Sequence, residues 1–132
     1  MKLVIWNAPL ATTKEVQMFA RKVSMHLKPN SVAELTRRLD KEIIPLLRKQ
    51  KGFQDEITFI TAGGKDAFGI SLWDRTEDAA AYGRGAYPEV AKLLATVVEG
   101  TPEIETYEVS NSTFHKIPAA VTPSRFPTPT TQ

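Results

Sequence analysis

There is no cysteine among the 132 residues, which excludes a disulfide frame, a thiol nucleophile, a zinc ribbon and an iron–sulfur cluster. Histidine is almost as scarce. His26 and His115 stand far apart without clustered carboxylates beside them, so no metal-ligand spacing exists and we expect no metal. Long apolar runs are missing as well: Ile57 to Ile60 and Ile70 to Trp73 fall well short of the roughly 18 residues of a membrane span. The start Leu3-Val4-Ile5-Trp6 stops at Asn7 and Pro9, shorter than the roughly 7 to 15 apolar residues of an export signal. These absences point to a cytoplasmic chain without a membrane partner. Gly63-Gly64-Lys65 lacks the upstream Gly of a phosphate loop and is followed by Asp66. Gly83-Arg84-Gly85 lacks the third Gly of a dinucleotide fingerprint, and no Gly-x-Ser-x-Gly elbow occurs.

What is present suits one globular domain, with 42% hydrophobic and 24% charged residues. Residues 1 to 53 hold 11 Lys/Arg against 4 Asp/Glu, and residues 54 to 132 hold 6 against 11, so the halves attract. Arg37, Arg38, Lys41, Arg48, Lys49 and Lys51 lie along one helical pattern. That is the composition of a solvated helix face rather than a nucleic-acid surface, and no nucleic-acid partner is expected.

Val23, Met25 and Leu27 alternate with Ser24, His26 and Lys28, the pattern of a strand with two unlike faces. After Pro29-Asn30, Ser31-Val32-Ala33-Glu34 reads as a capping box opening a helix. Val32, Leu35, Leu39, Ile43, Leu46 and Leu47 give its apolar stripe, Pro45 predicts a kink and Gly52 a stop. Gln54 to Thr61 and Asp66 to Asp74 form a hairpin across Ala62-Gly63-Gly64-Lys65. A second helix starts at Thr76-Glu77-Asp78, weakens at Gly83 and Gly85, resumes at Pro88 and runs through Val98 to a stop at Gly100. Glu103 to Ser110 supplies the last strand.

The order β-α-β-β-α-β predicts an α+β, ferredoxin-like fold. Its four-stranded antiparallel sheet has both helices on one face, and its first and third strands are central. Residues 1–20 form an N-terminal extension, 21–115 the domain, and 116–132 a Pro/Thr-rich tail with too little apolar content to offset its chain entropy. Period two assigns Val23, Met25, Leu27, Phe68, Ile70, Leu72, Tyr107 and Val109 to the helix-covered side. It leaves Ser24, His26, Thr58, Ile60, Gly69, Ser71, Trp73, Thr106 and Glu108 on the other. An uncovered face of that bulk marks an interface, and a homodimer joined sheet to sheet is the expectation.

Within residues 21–115, the stretches KVSMHLKP, IIPLLRKQKGF, GISLWD with EDAAAY and YPEV, and IETYEV resemble the dimeric α/β-barrel superfamily and its antibiotic biosynthesis monooxygenase-like domains. The resemblance implies two ferredoxin-like sheets paired into a barrel, with a pocket in each subunit for a small aromatic or hydrophobic ligand. Some members oxygenate aromatic polyketides with no metal or flavin, so no cofactor is implied. Haem-degrading relatives use an Asn on the first strand, a Trp on the third and a His on the second helix. Only Trp73 matches, since Ala81-Tyr82-Gly83-Arg84 offers no imidazole, and haem chemistry is not expected.

His26 is the candidate catalytic residue, because imidazole exchanges protons near neutral pH. Trp73 is the candidate aromatic wall, with Ser24 or Glu108 as hydrogen-bonding partners. Tyr82 and Tyr87, flanking the glycine interruption, are candidates to present phenols at a pocket mouth. Three functions remain open on the residues alone. One is a cofactor-independent monooxygenase acting on a small aromatic compound, and the second is a ligand-binding or stress-associated dimer without turnover. In the third, a structural domain, His26 and Trp73 are packing.

Overall fold

The computed structural model describes residues 18–117, so most of the expected N-terminal extension and C-terminal tail lies outside the described residues. The sheet consists of β1 (Phe19–Leu27), β2 (Phe53–Ile60), β3 (Asp66–Trp73) and β4 (Val98–Glu108). It is antiparallel, in the order β2-β3-β1-β4. Between β1 and β2 the chain forms α1 (Val32–Arg38), a π-helical turn (Leu39–Ile43) and α2 (Ile44–Arg48). Between β3 and β4 it forms α3 (Thr76–Arg84) and α4 (Tyr87–Ala95). This is the expected ferredoxin-like α+β arrangement.

Three local details differ from the sequence reading. The capping box does not form: the Ser31 hydroxyl faces the Pro29 carbonyl at 3.5 Å, while the Glu34 carboxylate reaches Arg37 at 2.7 Å and Arg38 at 3.0 Å. Two guanidiniums one turn on compete successfully for that carboxylate. Pro45 acts through the π turn that precedes it, where the Ile44 N–H donates to the Leu39 carbonyl five residues back. An extra residue in the turn absorbs the missing N–H and the ring clash of proline. Finally, α4 stops at Ala95, and Gly100, with φ of 73°, instead allows the register slip in β4 opposite Ser24 and His26.

Residues paired across strands share a face, and the register gives the helix-covered rows directly. They are Phe53–Trp73–Phe19, Glu56–Ser71–Arg21, Thr58–Gly69–Val23 and Ile60–Ala67–Met25, each read from β2 through β3 to β1. Val23, Met25 and Leu27 face the helices as expected. The assignments of β3, β2 and β4 are corrected. Phe68, Ile70, Leu72 and Tyr107 lie on the helix-free face, while Thr58, Ile60, Gly69, Ser71, Trp73, Thr106 and Glu108 lie on the covered one. Both alternating sets of β3 contain apolar residues, and the register slip between Phe53 and Asp55 reverses the phase of β2.

The helix-free face is itself divided. Its β2–β3 half is apolar, with Ile57 50% and Phe59 42% exposed and Phe59 stacked on Phe68 at 4.8 Å. Its β1–β4 half is charged, with Lys22 3.9 Å from Glu105, and with Glu99, Glu103 and His26 alongside. The segment after β4 turns at Ser112, whose hydroxyl accepts the Phe114 and His115 N–H groups. His115 then pairs with Asp55 of β2, linking the chain beyond β4 to the opposite sheet edge.

Candidate functional site

The core between helices and sheet keeps a small gap. Gly69 and Ser71 on the covered side of β3 are small, and above them lies a cavity of about 50 Å³, partly open to solvent. A ring therefore enters only as rim side chains move aside. The ceiling is apolar, made by Leu35, Leu39, Ile43 and Leu47 on one side and Tyr82, Tyr87, Val90 and Leu94 on the other.

The floor is polar along one line. Glu56, Ser71 and Arg21 are cross-strand neighbours on β2, β3 and β1. Glu56 accepts a hydrogen bond from the Thr58 hydroxyl at 2.6 Å. Both side chains lie over Gly69, where a Cβ would come within 2.8 Å of the Glu56 Oε2 and 3.3 Å of the Thr58 Oγ1, so this glycine makes room for the carboxylate. Burial pushes the Glu56 carboxyl above the usual carboxylate range, and the hydrogen bond from Thr58 opposes it.

At the other end Arg21 lies 4.3 Å from the Tyr87 ring centre and 5.2 Å from that of Tyr82. Burial draws its guanidinium pKa down, and the two phenols oppose the shift. Burial is also the main reason that Tyr82 is pushed up to about 12 and Tyr87 is raised, so both phenols stay neutral. Between the charged ends, the Ser71 hydroxyl accepts from the Trp73 indole N–H at 2.8 Å and donates to the Arg21 carbonyl at 3.4 Å. Trp73 is fully buried, stacked on Tyr82 at 4.9 Å and edge-on to Phe53 at 5.5 Å.

A neutral pair of phenols, a buried cation and a carboxyl whose pKa burial raises, set around a small apolar cavity, can bind the edge of a planar molecule and move a proton at one end. The cavity reaches the edge strand β2 at Glu56 and Thr58. An outer groove there, between β2 and the π turn, shares Leu39, Glu56 and Thr58 with the cavity.

No family model and no curated protein matches the chain. Solved structures do match over most of its length. A monooxygenase of Streptomyces coelicolor, in complex with nanaomycin D, aligns with a TM-score of 0.58 at 16% identity, covering 73% of this chain and 90% of that one. A Bordetella bronchiseptica protein, named as a candidate antibiotic biosynthesis monooxygenase, aligns with a TM-score of 0.62 at 12% identity over 70% of this chain and 97% of its own. The chain has the fold of these proteins. A Nitrosomonas europaea protein of unknown function shares it too, with a TM-score of 0.61 at 19% identity over 74% and 94% of the two chains.

Within this fold the residues singled out from sequence separate into two groups. Tyr82 and Tyr87 line the cavity, and Trp73 backs it through Ser71 and Tyr82. His26 does not reach it. His26 and Trp73 are on adjacent strands but at opposite ends and on opposite faces, because His26 pairs with Asp66 and Trp73 with Phe19. The His26 Nδ1 meets the Asp66 carboxylate at 2.5 Å, with the imidazole 80% exposed. Ser24 is on the same helix-free face opposite Phe68, and Glu108 is exposed at the end of β4. Arg21, Glu56, Thr58 and Ser71 were not singled out. A sequence signal did exist in the run of small residues Ala67, Gly69 and Ser71 at alternate positions of a buried strand, which leaves a hole opposite the helices. Among the described residues no group of three His, Cys, Asp or Glu side chains is arranged to hold a metal ion, and no helix is long and apolar enough to cross a membrane.

Proposed function

We propose that this protein binds a small aromatic compound in the cavity between helices and sheet and acts on it as a monooxygenase-like enzyme, with Glu56 as the base. The observation that carries the reading is a carboxyl, raised in pKa by burial, at the floor of an apolar cavity walled by Tyr82 and Tyr87, with Trp73 behind Ser71 and Tyr82. Glu56 takes a proton from an acidic ring methylene or phenol, and Arg21 stabilises the negative charge that spreads over the ring oxygens. The electron-rich anion then reacts with dioxygen, one oxygen entering the substrate as a carbonyl and the other leaving as water. The wall residues hold the ring and keep bulk water out. This assigns the base to Glu56 in place of His26, which stands on the other face of the sheet.

Oxygen uptake with a panel of anthrones and dihydroxynaphthalenes tests the reading. Uptake by the wild type that is lost in Glu56→Gln and retained in His26→Ala supports it, whereas turnover unchanged by Glu56→Gln removes the base. Binding of the same compounds with no uptake at all leaves the alternative, a ligand-binding dimer without turnover.

The assembly belongs to the same proposal. The exposed apolar half of the helix-free face, with Ile57, Phe59 and Phe68, packs against a second copy of the chain, and the pairing forms the barrel of a homodimer.

A further inference from the structure

Arg21 is the cation that lines the cavity. It is 7% exposed, and among the described residues no carboxylate comes within ion-pairing distance of its guanidinium. The ion pairs of this region use Arg37, Arg38, Lys22 and Lys41 instead. The Tyr87 and Tyr82 rings lie 4.3 Å and 5.2 Å away, and their faces offset part of the cost of desolvating a cation without supplying a charge. Ser71 cannot complete the site, since its hydroxyl is already engaged by Trp73 and by the Arg21 carbonyl. A buried guanidinium with donors to spare on the wall of a cavity is a receptor for a carboxylate.

Building on the cavity assigned above, we propose that the ligand is an aromatic carboxylic acid whose carboxylate pairs with Arg21 between the Tyr82 and Tyr87 rings. The other end of the floor fixes its direction. Glu56 lies two strands from Arg21, about 9.6 Å between backbones, and its carboxylate repels an anion while accepting a proton. A ring system that carries its carboxylate at one end and its acidic hydroxyl or methylene at the far end therefore fits in one orientation. An isomer with both groups side by side cannot reach both residues.

Calorimetric titration of the full chain with 6-hydroxy-2-naphthoate, its amide and 3-hydroxy-2-naphthoate tests this. We expect the 6-hydroxy acid to bind at least tenfold more tightly than the amide and than the 3-hydroxy isomer. The acid-over-amide preference should vanish in Arg21→Gln and survive in part in Arg21→Lys. Equal binding of acid and amide by the wild type overturns the inference, as does an acid preference that persists in Arg21→Gln or a failure of the acid to bind at millimolar concentration. The acid–amide comparison on the wild type decides the matter should Arg21→Gln fail to fold. Because Glu56→Gln is expected to keep the carboxylate preference while losing oxygen uptake, failure here and failure of the catalytic reading are separately visible.

Discussion

Arg21 and Glu56 stand in one transverse row of the sheet, on either side of Ser71. The row gives an otherwise apolar cavity a cationic end and an acidic end, held apart by a hydroxyl whose hydrogen bonds stay within the protein.

Replacing the hydroxyl of Ser71 tests how firmly the row is held. Ser71→Ala leaves the buried Trp73 N–H without its acceptor, at an expected cost of about 1–3 kcal/mol. Urea unfolding should show a lower midpoint with an unchanged slope, and Trp73 fluorescence should shift in the folded state. An unchanged midpoint would mean that the indole bond contributes nothing.

The raised pKa of Glu56 sets a sign for stability against pH. A carboxyl that titrates higher in the folded chain than in the unfolded one binds more protons when folded in the interval between the two values. Its contribution is therefore fully present below the unfolded-state value and is lost as pH rises through the folded-state value. Glu56→Gln, which keeps an acceptor for Thr58, should raise the midpoint of thermal unfolding at neutral pH and leave it unchanged at acid pH. The same effect requires catalysis to rise with pH through a value above the ordinary carboxylate range.

Leu39 lines both the cavity and the outer groove, at the start of the π turn that Pro45 imposes. Its side chain is expected to act as the door. The absence of native cysteine allows a clean measurement with a single thiol introduced by Ser71→Cys. Adding Leu39→Ala should speed labelling by an aromatic disulfide reagent severalfold, and adding Leu39→Trp should slow it. Faster labelling with Val90→Ala, and none with Leu39→Ala, would place the access route on the other side.

Ile57 is half exposed on the apolar half of the helix-free face. If that half meets a second copy, sedimentation of the wild type gives twice the chain mass of 14.7 kDa, and Ile57→Lys gives the single mass while circular dichroism is preserved. A wild-type monomer at micromolar concentration ends the barrel proposal.

The topology was legible because each element carries its own period and its own punctuation. Val23, Met25 and Leu27 alternate cleanly, and Gly63-Gly64 marks the hairpin. Pro88 restarts the second helix after Gly85. The faces of β3 were not legible by the same logic. Hydrophobicity alone sends Phe68, Ile70 and Leu72 inward, yet the covered side takes Ala67, Gly69, Ser71 and Trp73. A strand lining a hole needs small residues where a packed strand needs large ones, and the large set serves the other face. With β3 read in reverse, Trp73 fell beside His26, and Glu56 went unnoticed because only the register slip at Phe53/Asp55 turns it inward.

His115, held by Asp55, laces the two outer strands together across one end of the sheet. The borders of a sheet carry unpaired main-chain groups and are the first parts to fray. Lifting either border breaks this pair, so β2 and β4 should lose part of their amide protection in step. Cutting the chain after Ser110 should then let β2 exchange ahead of β4 and loosen the margin beside the outer groove.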